Sequence, residues 1–595
     1  MRGRSNVKFD FKLLLALLIC STFFFAFLGS YPLLNNNEGI YAGISQWFFQ
    51  TGNYILPHLN GVEYIEKPPM LYWLIAFCFK IFGTNEWSAR LVPATSGFLI
   101  GLFIYFFLQE EKHTTTPIWA LMIWSSCVGT IAFSRLIFFD MLFAFFLSGI
   151  MISLFLYRKK TSQKVWIYSA YLFAAFSVLT KGLLGIVLPA ISIFIYLFIE
   201  QEADAIFSLK RLVNVAKEMF SYFSVVPMLI FLIIAIPWHV AAGLKDPDFW
   251  YFYFINEHFL RFLGKRIPMD YYSGSVYYYI LRLLGYMAPW IIFLPAFIFR
   301  NKPYPQKRKM PSSELFCWSW FLTVLVFFSV AKAKANYYII AGMPPLAVLF
   351  AFRLRDAKDF IFKRYIFILL LVTFILSTIV LIFTLLSPFI LEKFYTLKLL
   401  SASIYKKVTP WLGYYDHFQL PIILLIIAFL ICIYMVFNAR KKENLRHHYV
   451  WLIVILTSFL TSTIMSQFHL FQEFYSTKKI ISDLSKKYDK KDIDLYLYIY
   501  FEKLSTSAYY LERSIPIINS KSKDLWYGLK KTDTKKLEIN IQELLKFPVK
   551  RPTFVLMEKR HSKEFKRESI KSGFKFWKSY GSNVLFYKNK AKKYK

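Results

Sequence analysis

Six short segments of this chain gather carboxylates, cations and phenols beside apolar stretches. In "NNNEGIYAG" (35–43) a run of amides precedes Glu38, and Tyr41 follows three positions later, on the same face of a helix. An asparagine cap with an acid in the first turn accounts for this stretch in plain structural terms. The same geometry would also hold Glu38 toward a cleft, where a carboxylate can take a proton. In "YIEKPPMLYW" (64–73) Pro68 and Pro69 stiffen the backbone, so Glu66 and Lys67 sit on a rigid segment. Lys67 suits a phosphate and Glu66 a cation, although an interfacial anchor would look similar. "FSRLIFFDMLF" carries Arg135 and Asp140, which could pair with each other. "LTKGLLGIVLP" places Lys181 at a glycine-rich reversal, where it could be an interfacial charge and nothing more. "INEHFLRFLGKR" brings Glu257, His258 and Arg261 close together on one helix. His258 is a metal-ligand candidate, or a hydrogen-bonded loop residue. "AKAKANYYIIAGMPPLA" sets Lys332 and Lys334 beside Tyr337 and Tyr338, which suits an anionic lipid headgroup. Taken together, these groups suit transfer from a lipid phosphate carrier. Cations stabilise the departing phosphate, and a carboxylate orients or deprotonates the attacking hydroxyl.

The elements that must position these groups are apolar helices. The chain has 595 residues, of which 57% are hydrophobic and 20% aromatic, and only 18% are charged. Apolar runs near 20 residues recur, as spanning helices require. Spans are predicted over 12–29, 86–108, 117–135, 140–157, 164–180, 183–199, 223–242, 279–299, 313–331, 336–351, 365–388, 419–437 and 449–466, about thirteen in all. Barrels and doubly wound sheets are excluded for this part, and residues 12–29 read as an uncleaved first helix. Net charge is +36, and the charges bracket apolar spans. Membrane lipids and lipid phosphates explain that better than nucleic acid. The basic clusters fall on one side, which the positive-inside rule makes cytoplasmic, with the N-terminus. Loops 30–85, 243–278 and 389–418 and the tail then lie on the far side. Segment 70–82 is apolar but short for a span, and is expected in or near the interface. The tail is polar and lysine-rich, with a predicted helix over 475–488 and strands in 493–501, 552–558 and 583–588. The five cysteines all lie in apolar stretches, so no disulfide framework or CxxC metal site is expected.

The order of these motifs resembles the bacterial aminoarabinose transferases of lipid A. More broadly it resembles the C-type membrane glycosyltransferases that use polyprenyl-phosphate sugars, protein mannosyltransferases among them. The resemblance runs from the first helix to about residue 350, and its more specific marks are "EKPP…YW" and "KxKxxYY". It implies an all-α polytopic membrane domain over 1–466 and a small periplasmic α/β domain over 467–595. The family's first loop usually reads Asp-Glu-x-Arg-Tyr-Ala-Glu, its Asp being the catalytic acid residue. Here Asn37 stands at the Asp, Ile40 at the Arg and Gly43 at the later Glu, while Glu38, Tyr41 and Ala42 keep the pattern. Glu38 is therefore expected to replace the lost acid as base, beside Asn37; otherwise Asp140, which resembles the family's second acid, does so, or the protein is inactive. Tyr64, Glu66, Lys67 and Pro68 all match. Lys67 is implied to bind the carrier phosphate, and Glu66 with His258 a divalent metal (Zn, Mg or Mn). Arg261, Lys332, Lys334, Tyr337 and Tyr338 are implied to line the lipid-phosphate pocket, with Tyr41, Tyr64 and Arg135 in the substrate-binding set.

The resulting expectation is a bacterial inner-membrane glycosyltransferase. It would pass an aminoarabinose- or hexose-type sugar, with inversion, to lipid A, another glycan or a protein. No nucleotide cofactor is expected, since there is no Gly-rich phosphate loop. An inactive scaffold is the alternative that Asn37 and Ile40 motivate. A transporter of lipid-linked substrates would need inverted repeats or mid-bilayer charges.

Overall fold

A segment in hydrocarbon must satisfy its backbone polar groups internally, so the apolar stretches of this chain are helical. The computed structural model describes residues 11–201, 208–269, 271–294, 310–356, 445–531, 537–546, 549–569 and 572–589, with isolated positions between 368 and 434. Among the described residues, Glu86–Glu110, Phe139–Lys159, Val225–Lys245, Ser312–Val330, Tyr338–Asp356 and His447–Tyr475 are long and apolar enough to cross a membrane. Shorter apolar helices, Phe11–Phe25, Val165–Lys181 and Leu184–Glu200, fall on further predicted spans. The molecule is a multi-pass helical membrane protein. The predicted spans 365–388 and 419–437 and the loop 389–418 lie almost wholly outside the described residues.

Two predicted spans are broken. Residues 117–135 form two helices, Thr116–Ser126 and Val128–Ser134, bent by 62°. Cys127 is extended there, and the Val128 N–H leaves the helical ladder to donate to the Ala288 carbonyl at 2.9 Å. The stretch predicted over 279–299 starts as Tyr278–Tyr286 and resumes as the short 3₁₀ turn Trp290–Phe293, with Pro289 at the break. Proline brings no N–H to continue the ladder.

The first long loop is structured throughout. It holds helix Asn37–Thr51, a hairpin pairing His58–Leu59 with Val62–Glu63, and helix Met70–Phe82. Asn60 and Gly61 turn the hairpin with positive φ at both positions, the backbone an Asn-Gly pair adopts most readily. The tail begins with helix Lys478–Lys487 and builds a six-stranded sheet. Its central strand Asp494–Tyr498 is parallel to Ile517–Ile518 and to Thr553–Glu558. Glu538–Ile539 extends one side in parallel, and Asn583–Lys588 with Lys575–Tyr580 extends the other antiparallel. One apolar core joins tail and loop: Leu33, Ile40 and Phe79 pack in the same cluster as Ile480, Leu497 and Tyr509.

Candidate active site

A cavity of about 610 Å³ opens where the first loop, the starts of several helices and the tail meet. Its lining is of two kinds. Asn37, Tyr41, Tyr64, Glu66, Lys67, Asp140, Lys181, Glu257, Arg261, Tyr337, Tyr338 and Asp524 supply polar groups. Leu183, Leu184, Val187, Phe259, Phe262, Leu263, Phe327 and Phe328 supply an apolar wall.

The cations are held by a buried acid. Lys67, on the stiff Pro68-Pro69 segment, lies 3.0 Å through Nζ from Glu257 Oε2. Arg261 reaches the same oxygen at 2.9 Å through Nη1, one helical turn on, and donates through Nε to the Tyr338 hydroxyl at 3.2 Å. Arg266 pairs with Glu257 and also with Glu66, its Nη2 lying 2.8 Å from Glu66 Oε1. The Tyr64 hydroxyl donates to the other Glu66 oxygen at 3.2 Å. Burial alone would raise the Glu257 pKa; Lys67, Arg266 and Arg261 outweigh it and hold the carboxyl well below the usual range. Asp140, at the start of Phe139–Lys159, pairs with Lys181, whose ammonium also lies 4.7 Å from the Tyr338 ring centre. Asn37 faces the cavity from the first turn of Asn37–Thr51, and Tyr41 follows it on the lining.

Several expected site residues stand elsewhere. Glu38 does not line the cavity; it is 2% exposed and clamped by Arg90, Nε to Oε1 at 2.9 Å and Nη2 to Oε2 at 2.8 Å. Its oxygens also accept from the backbone N–H groups of Leu34 at 2.9 Å and Ile137 at 3.2 Å. Four donors leave little capacity for an incoming hydroxyl. Arg135 is buried away from the cavity and does not pair with Asp140; it donates to the carbonyls of Phe23 and Ala26 at the end of Phe11–Phe25. Helix ends leave carbonyls without partners, and a guanidinium satisfies them. Lys334 does the same for Ser312–Val330, donating to Phe328, Ser329 and Ala331 carbonyls at 2.9, 2.6 and 2.6 Å. Lys332 is exposed and off the lining.

The residues expected to hold a metal do not fit one. His258 Nδ1 is 2.7 Å from the Tyr253 carbonyl, and its Nε2 accepts the Leu183 N–H at 3.3 Å. That pair of partners assigns a neutral ring protonated at Nδ1, and burial lowers the pKa in the same sense. Both nitrogens are thus engaged, and Glu66 is committed to Arg266 and Tyr64. Among the described residues, no three His, Cys, Asp or Glu side chains group as metal ligands.

Four participants escaped the sequence reading. Arg90 lies one turn into the span Glu86–Glu110, where a charge is costly enough to flag. Arg266 sits inside a quoted motif without an assigned role. Lys181 stands in another quoted segment, where no partner or role is assigned to it. Asp524 belongs to the tail, and nothing in its neighbourhood points to a membrane cavity.

A family model described as dolichyl-phosphate-mannose-protein mannosyltransferase matches residues 66–239. The undecaprenyl phosphate-alpha-4-amino-4-deoxy-L-arabinose arabinosyl transferase of Aeromonas hydrophila subsp. hydrophila is 28% identical over 341 residues, 56% of this chain and 58% of that protein. The protein of the same name from Yersinia enterocolitica is 30% identical over 328 residues, 54% of this chain and 55% of that one. The chain thus spans little more than half the length of the curated relatives it matches. The crystal structure of ArnT from Cupriavidus metallidurans bound to undecaprenyl phosphate aligns over 97% of both chains, with a TM-score of 0.74 and 19% identity, a likeness of fold.

Proposed function

We infer that this chain, similar in sequence to the aminoarabinose transferases and protein mannosyltransferases and alike in fold to ArnT, is a membrane glycosyltransferase. Its donor is a sugar on a polyprenyl phosphate, and its acceptor a hydroxyl of lipid A, another glycan or a protein. The observation that carries this is the cavity: Lys67, Arg261 and Lys181 lie on one lining with Asp140, beside a wall of leucine, valine and phenylalanine. A lipid phosphate needs both kinds of surface, cations for the headgroup and apolar side chains for the prenyl chain.

In the proposed step the acceptor oxygen attacks the anomeric carbon from the face opposite the phosphate. The bond from that carbon to the phosphate oxygen breaks, and its electron pair stays on the phosphate. Lys67 and Arg261 neutralise the charge that develops there. The hydroxyl proton passes to Asp140, which takes the role first expected of Glu38, because Asp140 lines the cavity and Glu38 is spent on Arg90. Asn37 can orient a sugar or acceptor hydroxyl through its amide but cannot accept the proton. The N-terminus is placed in the cytoplasm and the tail in the periplasm of a bacterial inner membrane, on the distribution of Lys and Arg.

The test is transfer in proteoliposomes from a panel of undecaprenyl-phosphate sugars to lipid A and glycan acceptors. Asp140→Asn should lower kcat by roughly 10²-fold or more, and Lys67→Ala should raise the KM for donor. Unimpaired transfer by Asp140→Asn would remove it as base. No turnover with any donor would favour the inactive reading that Asn37 and Ile40 suggest.

A further inference from the structure

Two buried carboxylates and a buried guanidinium underlie the cations of the cavity. Glu66 and Glu257 are 4% and 6% exposed and Arg266 1%. Carboxylates this dry repel one another unless a cation stands between them. Arg266 Nη2 lies 2.8 Å from Glu66 Oε1 as an ion pair without a well-aligned hydrogen bond, and Nε donates to Glu257 Oε1. The guanidinium is itself held in place. Asn256 Nδ2 donates to the Ile267 carbonyl at 2.7 Å, and the Ile267 N–H donates to Asn256 Oδ1 at 2.9 Å. The residue after Arg266 is thereby pinned to the residue before Glu257.

A divalent ion on carboxylate oxygens is one way to join two such acids. A planar guanidinium is another, and it is weakly hydrated enough to be buried. We propose that Arg266 is a positioning residue that supplies the positive charge between Glu66 and Glu257 in place of a divalent metal, and so sets Lys67 and Arg261 for a phosphate. Glu257 is the link, since Lys67, Arg261 and Arg266 all pair with it. In this cluster the two acids pair with Lys67, Arg261 and Arg266, and two of these cations, Lys67 and Arg261, line the cavity. The inference rests on the lipid-phosphate reading of the cavity.

Native mass spectrometry of the detergent-purified full chain reads bound zinc and bound undecaprenyl phosphate together. Wild type should take up no zinc after exposure and dialysis, and should bind the lipid equally with and without EDTA. Arg266→Met keeps the length and removes the charge. It should bind the lipid roughly tenfold more weakly, take up about one zinc per chain, and regain part of its lipid affinity when zinc is added. Arg266→Lys should keep most of the lipid binding and take up no zinc. Zinc in wild type, or lipid binding that falls in EDTA, would overturn the proposal. So would an Arg266→Met chain that binds lipid like wild type or takes up no zinc. If Arg266→Met does not fold, the wild-type and Arg266→Lys results decide. A wild type that binds no undecaprenyl phosphate under any condition counts against the glycosyltransferase reading, while its zinc content still decides the role of Arg266.

Discussion

Arg90 uses its whole guanidinium. Two bonds go to Glu38, and the others to the carbonyls of Leu28 at 3.1 Å, Tyr31 at 2.8 Å and Pro32 at 2.8 Å. The group also stacks over the Tyr31 ring at 3.9 Å. One ion pair thus ties the end of the first helix, the first turn of Asn37–Thr51 and the start of Glu86–Glu110. Removing one partner of such a buried pair leaves an uncompensated charge and costs about 3–5 kcal/mol. Glu38→Gln, nearly isosteric, should therefore lower the melting temperature of the detergent-solubilised protein markedly. Any loss of transfer should follow that loss of fold. A variant that melts like wild type yet transfers nothing would return Glu38 to the chemistry. The same residues show why the sequence misleads here. Glu38 lies beside Asn37, which the resemblance matches to the expected acid, and one residue of helix turns a side chain by about 100°. That rotation sends Asn37 to the cavity and Glu38 to Arg90.

At the scale of elements, the turn between Val165–Lys181 and Leu184–Glu200 decides where Lys181 goes. Gly182 has φ +64° there, and a Cβ would collide with the His258 ring and lie 2.7 Å from the Tyr253 hydroxyl. Gly182→Ala should cost roughly 1–3 kcal/mol in backbone strain alone. It should also weaken lipid-phosphate binding, because the turn and the helix that carries His258 must part. Gly43→Ala is the matched control: nothing lies within 4 Å of its Cβ position, and alanine is favoured over glycine within a helix. Melting curves and lipid binding of the two variants side by side check this. Equal behaviour would mean that the turn tolerates a side chain and that His258 does not depend on it. The helices themselves were legible from apolar length, because hydrocarbon thickness sets it. The apolar segment 70–82, expected in or near the interface, forms helix Met70–Phe82, and the tail strands predicted in 493–501, 552–558 and 583–588 hold Asp494–Tyr498, Thr553–Glu558 and Asn583–Lys588. Partner choice was not legible. Arg135 and Asp140 are near in sequence, yet Arg135 serves carbonyls of Phe11–Phe25 and Asp140 meets Lys181 from another helix. Sequence spacing carries no information about which helix end comes to rest beside a charge.

At the scale of the molecule, the amides of "NNNEG" are a docking surface for the tail. The Asn35 N–H donates to the Tyr475 carbonyl at 2.7 Å, and its Oδ1 accepts from the Thr506 hydroxyl at 2.6 Å. The Asn36 N–H reaches the Glu502 carbonyl at 2.8 Å. Further round, Lys531 bridges Glu63 at 2.6 Å and Asp246 at 2.7 Å. This seating brings Asp524 onto the cavity lining, so the tail contributes a carboxylate to a cavity lined otherwise by the first loop and the helical part. Gly39 sets how closely the two parts approach, since a Cβ there would collide with the Ser505 hydroxyl and lie 2.7 Å from the Thr506 nitrogen. Backbone cannot yield as a flexible side chain can, so Gly39→Ala should lift the tail off the first loop. Hydrogen exchange should rise at Thr506, whose N–H now donates to Asn35 Oδ1 at 3.2 Å, and at Asn36, whose N–H now reaches the Glu502 carbonyl. Donor binding should survive, because Lys67, Arg261 and Arg266 are held within the membrane part by Glu257. Transfer should fall, because Asp524 leaves the lining. Exchange that rises while transfer is unchanged would strip Asp524 of any part in the reaction. Exchange that does not rise would mean the loop shifts to make room for the methyl group, and the tail's position does not depend on Gly39.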